Sequence, residues 1–102
     1  MHIEFLRTGG FGGLRLATTV NTDRLPAEQA STVSRLISDA GFFQLPEKLL
    51  PPSPMPDRFQ YKVTISDPDK THSIEASDPA IPEALRPLLN YLTTMAMTRK
   101  NP

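Results

Sequence analysis

Phe59-Gln60-Tyr61-Lys62-Val63-Thr64-Ile65-Ser66-Asp67-Pro68-Asp69-Lys70 is the stretch that decides the fold. Phe59, Tyr61, Val63 and Ile65 alternate with Gln60, Lys62, Thr64 and Ser66. A period of two puts the apolar set on one face of an extended chain, so this segment reads as a strand with one side buried. Asp67-Pro68-Asp69-Lys70 is a turn, because proline presets its own φ and Asp side chains bond nearby backbone N–H groups. Beyond it His72, Ile74 and Ala76 resume the alternation, and the two runs form an antiparallel hairpin.

Outward from this hairpin, Asp78-Pro79-Ala80-Ile81-Pro82 breaks the sheet. Ile81, Leu85, Leu88, Leu92 and Met95 then fall along one face of a helix. Pro87 would remove a hydrogen bond from the interior of a helix starting at Pro82. Either a short turn comes first and the main helix begins near Leu85, or the helix bends there. Residues 98–102 are polar and are expected to fray.

On the other side, residues 44–57 hold Leu45-Pro46, Leu49-Leu50 and a cluster of Pro51, Pro52, Pro54 and Pro56. Proline restricts itself and its predecessor, which predicts a stiff, extended crossing. Leu49, Leu50 and Met55 are its candidates for exposed contacts. Upstream, Ala30, Val33, Ile37 and Ala40, widened by Leu36, make a helical stripe. Thr22 or Asp23 is placed to cap this helix, with Pro26 near its first turn. Gly41 stands where a helix end favours a left-handed residue, and one of Phe42 and Phe43 should pack under the helix. At the front, Ile3 and Phe5 alternate with His2 and Glu4, and Leu14, Leu16, Thr18 and Val20 alternate with Arg15, Ala17, Thr19 and Asn21. These are two strands of a second hairpin. The expected fold is α+β: a single ββαββα domain over residues 1–97, with a four-stranded antiparallel sheet and two helices packed on one face. Strand order stays open.

The first hairpin is joined by Gly9-Gly10-Phe11-Gly12-Gly13, which holds four of the chain's five glycines. Without a Cβ, such a segment can approach another surface closely. Its lone aromatic either folds back over the sheet edge or enters a pocket on another molecule. The two loops, glycine-rich and proline-rich, are where the chain concentrates its unusual residues, and loops on a rigid sheet commonly carry recognition.

Composition narrows the function. Eleven basic and eleven acidic side chains cancel over 102 residues, which argues against a nucleic-acid or membrane partner held mainly by charge. The absence of cysteine excludes disulfides, thiolate metal sites and a cysteine nucleophile. Met1 to Arg7 does not read as a secretory signal, and no apolar run approaches the about 20 residues that cross a bilayer; a cytoplasmic product is expected. His2 and His72 are the chain's two histidines. At most they could meet across the sheet as a weak metal pair, and neither belongs to a serine motif. Asp67 and Asp69 are explained by their turn. The glycine segment lacks the spacing and lysine of a phosphate loop. No catalytic set, cofactor or metal site is expected, although a hydrolase relying on His72 is a formal alternative. A binding module fits better; the alternative to loop recognition is an exposed sheet edge, and such an edge can also pair with its own copy.

Several ordered stretches resemble the emfourin family of small inhibitors of protealysin and related thermolysin-like metalloproteases. They are Gly9-Gly10-Phe11-Gly12-Gly13, Asp23-Arg24-Leu25-Pro26, Ala40-Gly41-Phe42-Phe43-Gln44-Leu45-Pro46, Pro56-Asp57-Arg58-Phe59-Gln60-Tyr61 and Pro82-Glu83-Ala84-Leu85-Arg86-Pro87-Leu88-Leu89. The resemblance implies a cystatin-like arrangement and a one-to-one complex with a cytoplasmic protease. It makes Phe11 the leading anchor, because thermolysin-like enzymes favour a large apolar side chain just after the cleaved bond. The flanking Gly9, Gly10, Gly12 and Gly13 would admit the backbone to the cleft. Asp57 and Arg58 are possible polar contacts, with a strand-entry cap and a solvated charge as their ordinary roles.

Overall fold

The alternation that defines the second hairpin also sets the centre of the sheet. The computed structural model describes residues 1–9, 15–52 and 58–99. Its strands are β1 (His2–Gly9), β2 (Leu16–Asn21), β3 (Lys48–Leu49), β4 (Phe59–Asp67) and β5 (Lys70–Ser77). Two helices accompany them, α1 (Ala27–Ala40) and α2 (Arg86–Arg99). The sheet order is β2-β1-β4-β5-β3. β1 and β4 are therefore neighbours inside the sheet, paired antiparallel from His2 with Ser66 to Gly9 with Phe59.

This register aligns the buried positions. Ile3 lies opposite Ile65 and Phe5 opposite Val63, while Val63 faces Ile74 across β5. All five are buried, and they form one core with Val33, Ile37, Phe42, Leu85, Leu88 and Leu92. Each such side chain contributes about 1.5–3 kcal/mol through removal from water. The other sheet face, with Glu4, Lys62, Thr64 and Glu75, is not part of this core.

The expected four-stranded antiparallel sheet is corrected to five strands of mixed direction. Lys48 and Leu49 add a short strand parallel to β5, opposite Glu75 and Ala76. The Glu75 backbone N–H donates to the Glu47 carbonyl at 2.8 Å, and Lys48 pairs with Glu75 at 3.4 Å. Two residues between Pro46 and Pro51 are too few to display alternation, so the strand has no periodic signature. Leu49 is also corrected: it packs against the core, whereas Leu50 is 41% exposed. Met55 lies outside the described residues.

The helix ends follow from local chemistry, with one correction. Neither Thr22 nor Asp23 caps α1. Residues Thr22–Arg24 form a separate 3-10 turn, in which the Asn21 side chain accepts from the Asp23 N–H at 3.0 Å, and α1 starts after Pro26. Gly41 adopts φ 61° and ψ 40°, and its N–H reaches the carbonyls of Ile37 and Ser38. Phe42 is the buried member of its pair. A 3-10 turn at Glu83–Leu85 precedes α2, so Pro87 occupies the first helical turn, where a missing N–H leaves nothing unsatisfied. The buried face of α2 runs through Leu88, Leu89, Leu92 and Ala96, with Met95 only partly covered.

Candidate functional site at one end of the sheet

The two loops singled out in the sequence lie far apart along the chain, and the β1–β4 register brings their anchors together. Gly9 closes β1 directly opposite Phe59, the first residue of β4. The glycine segment therefore departs where the proline-rich crossing arrives. Gly9 has φ 91°, and a Cβ built there would lie 2.7 Å from the Arg58 carbonyl oxygen. Only glycine fits this approach without a shift of backbone. Of the candidate site residues, Gly9 and Arg58 are thus in contact through their main chains. Gly10, Phe11, Gly12, Gly13 and Asp57 lie outside the described residues.

The structure adds residues that sequence reading had assigned to the strand interior. Phe59 belongs to the same sheet face as Val63 and Ile65, yet it is 42% exposed. The Arg7 guanidinium sits 4.1 Å from its ring centroid. Tyr61 connects Phe59 to the core, with ring centroids 6.5 Å from Phe59 and 6.1 Å from Phe5. The Ser77 hydroxyl donates to the Phe59 carbonyl at 3.0 Å and fixes the entry to β4. Leu50, just beyond β3, belongs to the same end of the sheet, because Leu49 pairs with Ala76 and Ala76 with Tyr61. Among the described residues the exposed large hydrophobics are Leu50, Phe59 and Met97, and two of these three stand beside the loop anchors. The available signal was length: β4 extends two apolar positions past Val63, further than β1 offers apolar partners, since Phe59 and Tyr61 face Gly9 and Arg7.

The alternatives considered for chemistry find little geometry. His72 Nε2 lies 2.7 Å from the Leu45 carbonyl. That carbonyl can only accept, so Nε2 carries the proton and is not free to act as a base. The ring also meets Phe42 edge-on at 5.6 Å, which makes His72 a tie between β5 and the turn after α1. His2 pairs with Ser66, one position out of phase with the face that His72 shares with Ile65. The two imidazoles therefore lie on opposite sheet faces and form no metal pair. Among the described residues no group of three or more His, Asp or Glu side chains gathers as a metal site. The open sheet face carries a shallow concavity of about 480 Å³, bordered by Glu4, Leu6, Arg15 and Lys62. Among the described residues no helix is long and apolar enough to cross a membrane.

One ion pair borders the loop end. Asp78, following β5, accepts from Arg86 at the start of α2, and Glu83 adds a second contact at 3.4 Å. The hydrogen bond that Arg86 donates to Asp78 raises the Arg86 pKa above its ordinary value against an opposing loss of hydration, with the charges of Asp78 and Glu83 adding to it.

A family model described as Emfourin matches residues 5–93. No curated protein and no solved structure gives a significant match.

Proposed function

The chain belongs to the Emfourin family, which implies a protease-inhibitor role, and from that premise we propose that it inhibits a thermolysin-like zinc metalloprotease of the protealysin type. It acts without catalysis of its own, in a one-to-one complex, and meets its target in the cytoplasm. The glycine segment enters the active-site cleft with Phe11 in the pocket that takes the side chain after the cleaved bond. The zinc is blocked from substrate, with no inhibitor residue assigned as its ligand.

The observation that supports this reading is the Gly9–Phe59 pairing. It anchors both loops at one end of the sheet, where Phe59 and Leu50 present apolar surface. One end of the sheet that carries both loops suits a cleft better than a flat face does. Burial of one phenyl ring is worth about 1.5–3 kcal/mol, and each 1.4 kcal/mol is about tenfold in affinity. Phe11→Ala should therefore weaken inhibition of a protealysin-type enzyme at least tenfold, measured with a short peptide substrate, while the thermal midpoint stays unchanged. Equal potency of the variant would remove Phe11 from the mechanism.

The second reading is a protein- or peptide-binding module that uses a sheet edge. It draws support from β2, a terminal strand of six residues, Leu16-Ala17-Thr18-Thr19-Val20-Asn21, with no charge along it. Uncharged edges are open to strand addition. This reading predicts binding that survives changes in the glycine segment and is lost on Thr18→Pro.

A further inference from the structure

We propose that Arg7, Arg15 and Arg58 form a basic collar around the base of the two loops, and that the collar meets a carboxylate-lined rim on the cleft of the target protease. The proposal rests on the inhibitor reading above and specifies the chemistry of the partner's surface.

The chain is neutral as a whole, with eleven charges of each sign, so a local excess must come from segregation. The register produces one. Arg7 lies opposite both Leu16 and Tyr61, Arg15 directly precedes Leu16, and Arg58 directly precedes the Phe59 that faces Gly9. Three arginines from three chain segments thus stand at the loop end, Arg7 on the face of Leu16 and Tyr61 and Arg15 on the open face beside Leu6 and Lys62. Arg15 and Arg58 are exposed, while Arg7 is held against the Phe59 ring. Among the described residues none of the three joins an ion pair.

Two of the carboxylates near this end are already engaged, whereas Glu4 borders the open-face concavity together with Arg15 and Lys62. Asp78 holds Arg86, and Glu75 holds Lys48. Asp57, beside Arg58 in sequence, lies outside the described residues. The far end of the sheet carries Asp67 and Asp69 in the β4–β5 connection and Asp23 after β2, together with Lys70 and Arg24. The molecule is therefore biased positive where it would enter a cleft.

Charges at the rim of an interface act mainly on the rate of encounter, and salt screens them. Arg7 has an additional role: stacked on Phe59, it keeps its charge at the mouth of the site without having to be ordered on binding. A protease whose cleft is bordered by Asp and Glu would be approached faster and in the correct orientation.

The test measures the rate of onset of inhibition of a protealysin-type enzyme at low salt, about 0.01 M, and at about 0.5 M, where the Debye length falls from about 30 Å to a few ångströms. The unaltered protein should associate at least tenfold faster at low salt. Arg15→Glu with Arg58→Glu should slow low-salt association about tenfold or more, with the gap closing at high salt and the thermal midpoint unchanged. Inhibition that persists with an onset rate indifferent to salt and to both reversals overturns the collar and leaves the inhibitor reading standing. Failure of the unaltered protein to inhibit overturns the inhibitor reading, and the collar with it.

Discussion

Gly9→Ala places a single methyl group at the junction of the two loops. At φ 91° an alanine is strained whatever the space around it, at a cost of about 1–3 kcal/mol. Its Cβ would also lie 2.7 Å from the Arg58 carbonyl oxygen, a backbone atom that cannot swing aside as a side chain could. The chain can keep its geometry and bear the full strain, or it can open the last Gly9–Phe59 pair. Opening gives up one or two ladder hydrogen bonds, about 0.5–1.5 kcal/mol each. The cheaper route prevails, so the loss of stability should be about 1–2 kcal/mol. For a domain of this size that lowers the thermal midpoint by roughly 4–12 °C. The fold survives, but the loop anchors separate, and inhibition should fall at least tenfold. Gly41→Ala is the control. Gly41 also has a positive φ, 61°, but the nearest atom to a built Cβ is the Gln44 side-chain oxygen at 3.7 Å. It should lose comparable stability, about 1–2 kcal/mol, with inhibition unaffected. Thermal melts and inhibition titrations on both variants decide the matter. A Gly9→Ala protein with unchanged midpoint and potency refutes the close-approach argument. Equal loss of potency in Gly41→Ala refutes its assignment to the loop junction.

Two further substitutions separate contact from scaffold. Phe59→Ala removes a ring that is 42% exposed, so stability should change by no more than about 1 kcal/mol, while inhibition weakens several-fold in the same titration; unchanged potency would place the ring outside the interface. His72→Ala deletes the bond to the Leu45 carbonyl and should cost about 1–2 kcal/mol in chemical denaturation, with potency intact; an esterase or peptidase activity that vanishes in this variant would revive a catalytic role for His72.

Much of the fold was legible because its information is local. The period-two run of β4 and the left-handed Gly41 each carry their explanation within a few residues, as does the turn before α2. The pairs that fail to announce themselves depend on partners distant in sequence. β3 exists because Glu47 and Lys48 meet Glu75, and nothing in Glu47-Lys48-Leu49 alone implies it. The α1 start was misplaced for a related reason: Asn21 captures the Asp23 N–H first, which uses the local capping chemistry in a separate turn. At the site, Gly9 and Arg58 were each identified from their own loop. Their contact was not, because it follows from β1 pairing with β4 as well as with β2. Phe59 was read as a core residue from its phase, which is correct for its sheet face and silent about where the covering helices stop.

The position of the site follows from that same pairing. A loop joined only to an edge strand inherits the fraying of the edge, and each added freedom must be given up on binding. Here the glycine segment leaves β1 and the proline-rich crossing enters β4, both of them strands flanked on each side within the sheet. Their opposed side chains, Ile3 with Ile65 and Phe5 with Val63, are among the most buried in the molecule. Tyr61 then extends this packing outward to Phe59 and, through it, to Arg7. The core thus reaches the loop anchors through a continuous chain of ring contacts, and the Ser77 hydroxyl secures the Phe59 backbone from the β5 side. Sequence variety in the loop tips can change which partner is engaged without disturbing this base, whereas a change at Gly9 alters the spacing of both loops at once. Potency should accordingly be more sensitive to Gly9, a residue that need not touch the partner, than to any single exposed side chain on the open face of the sheet.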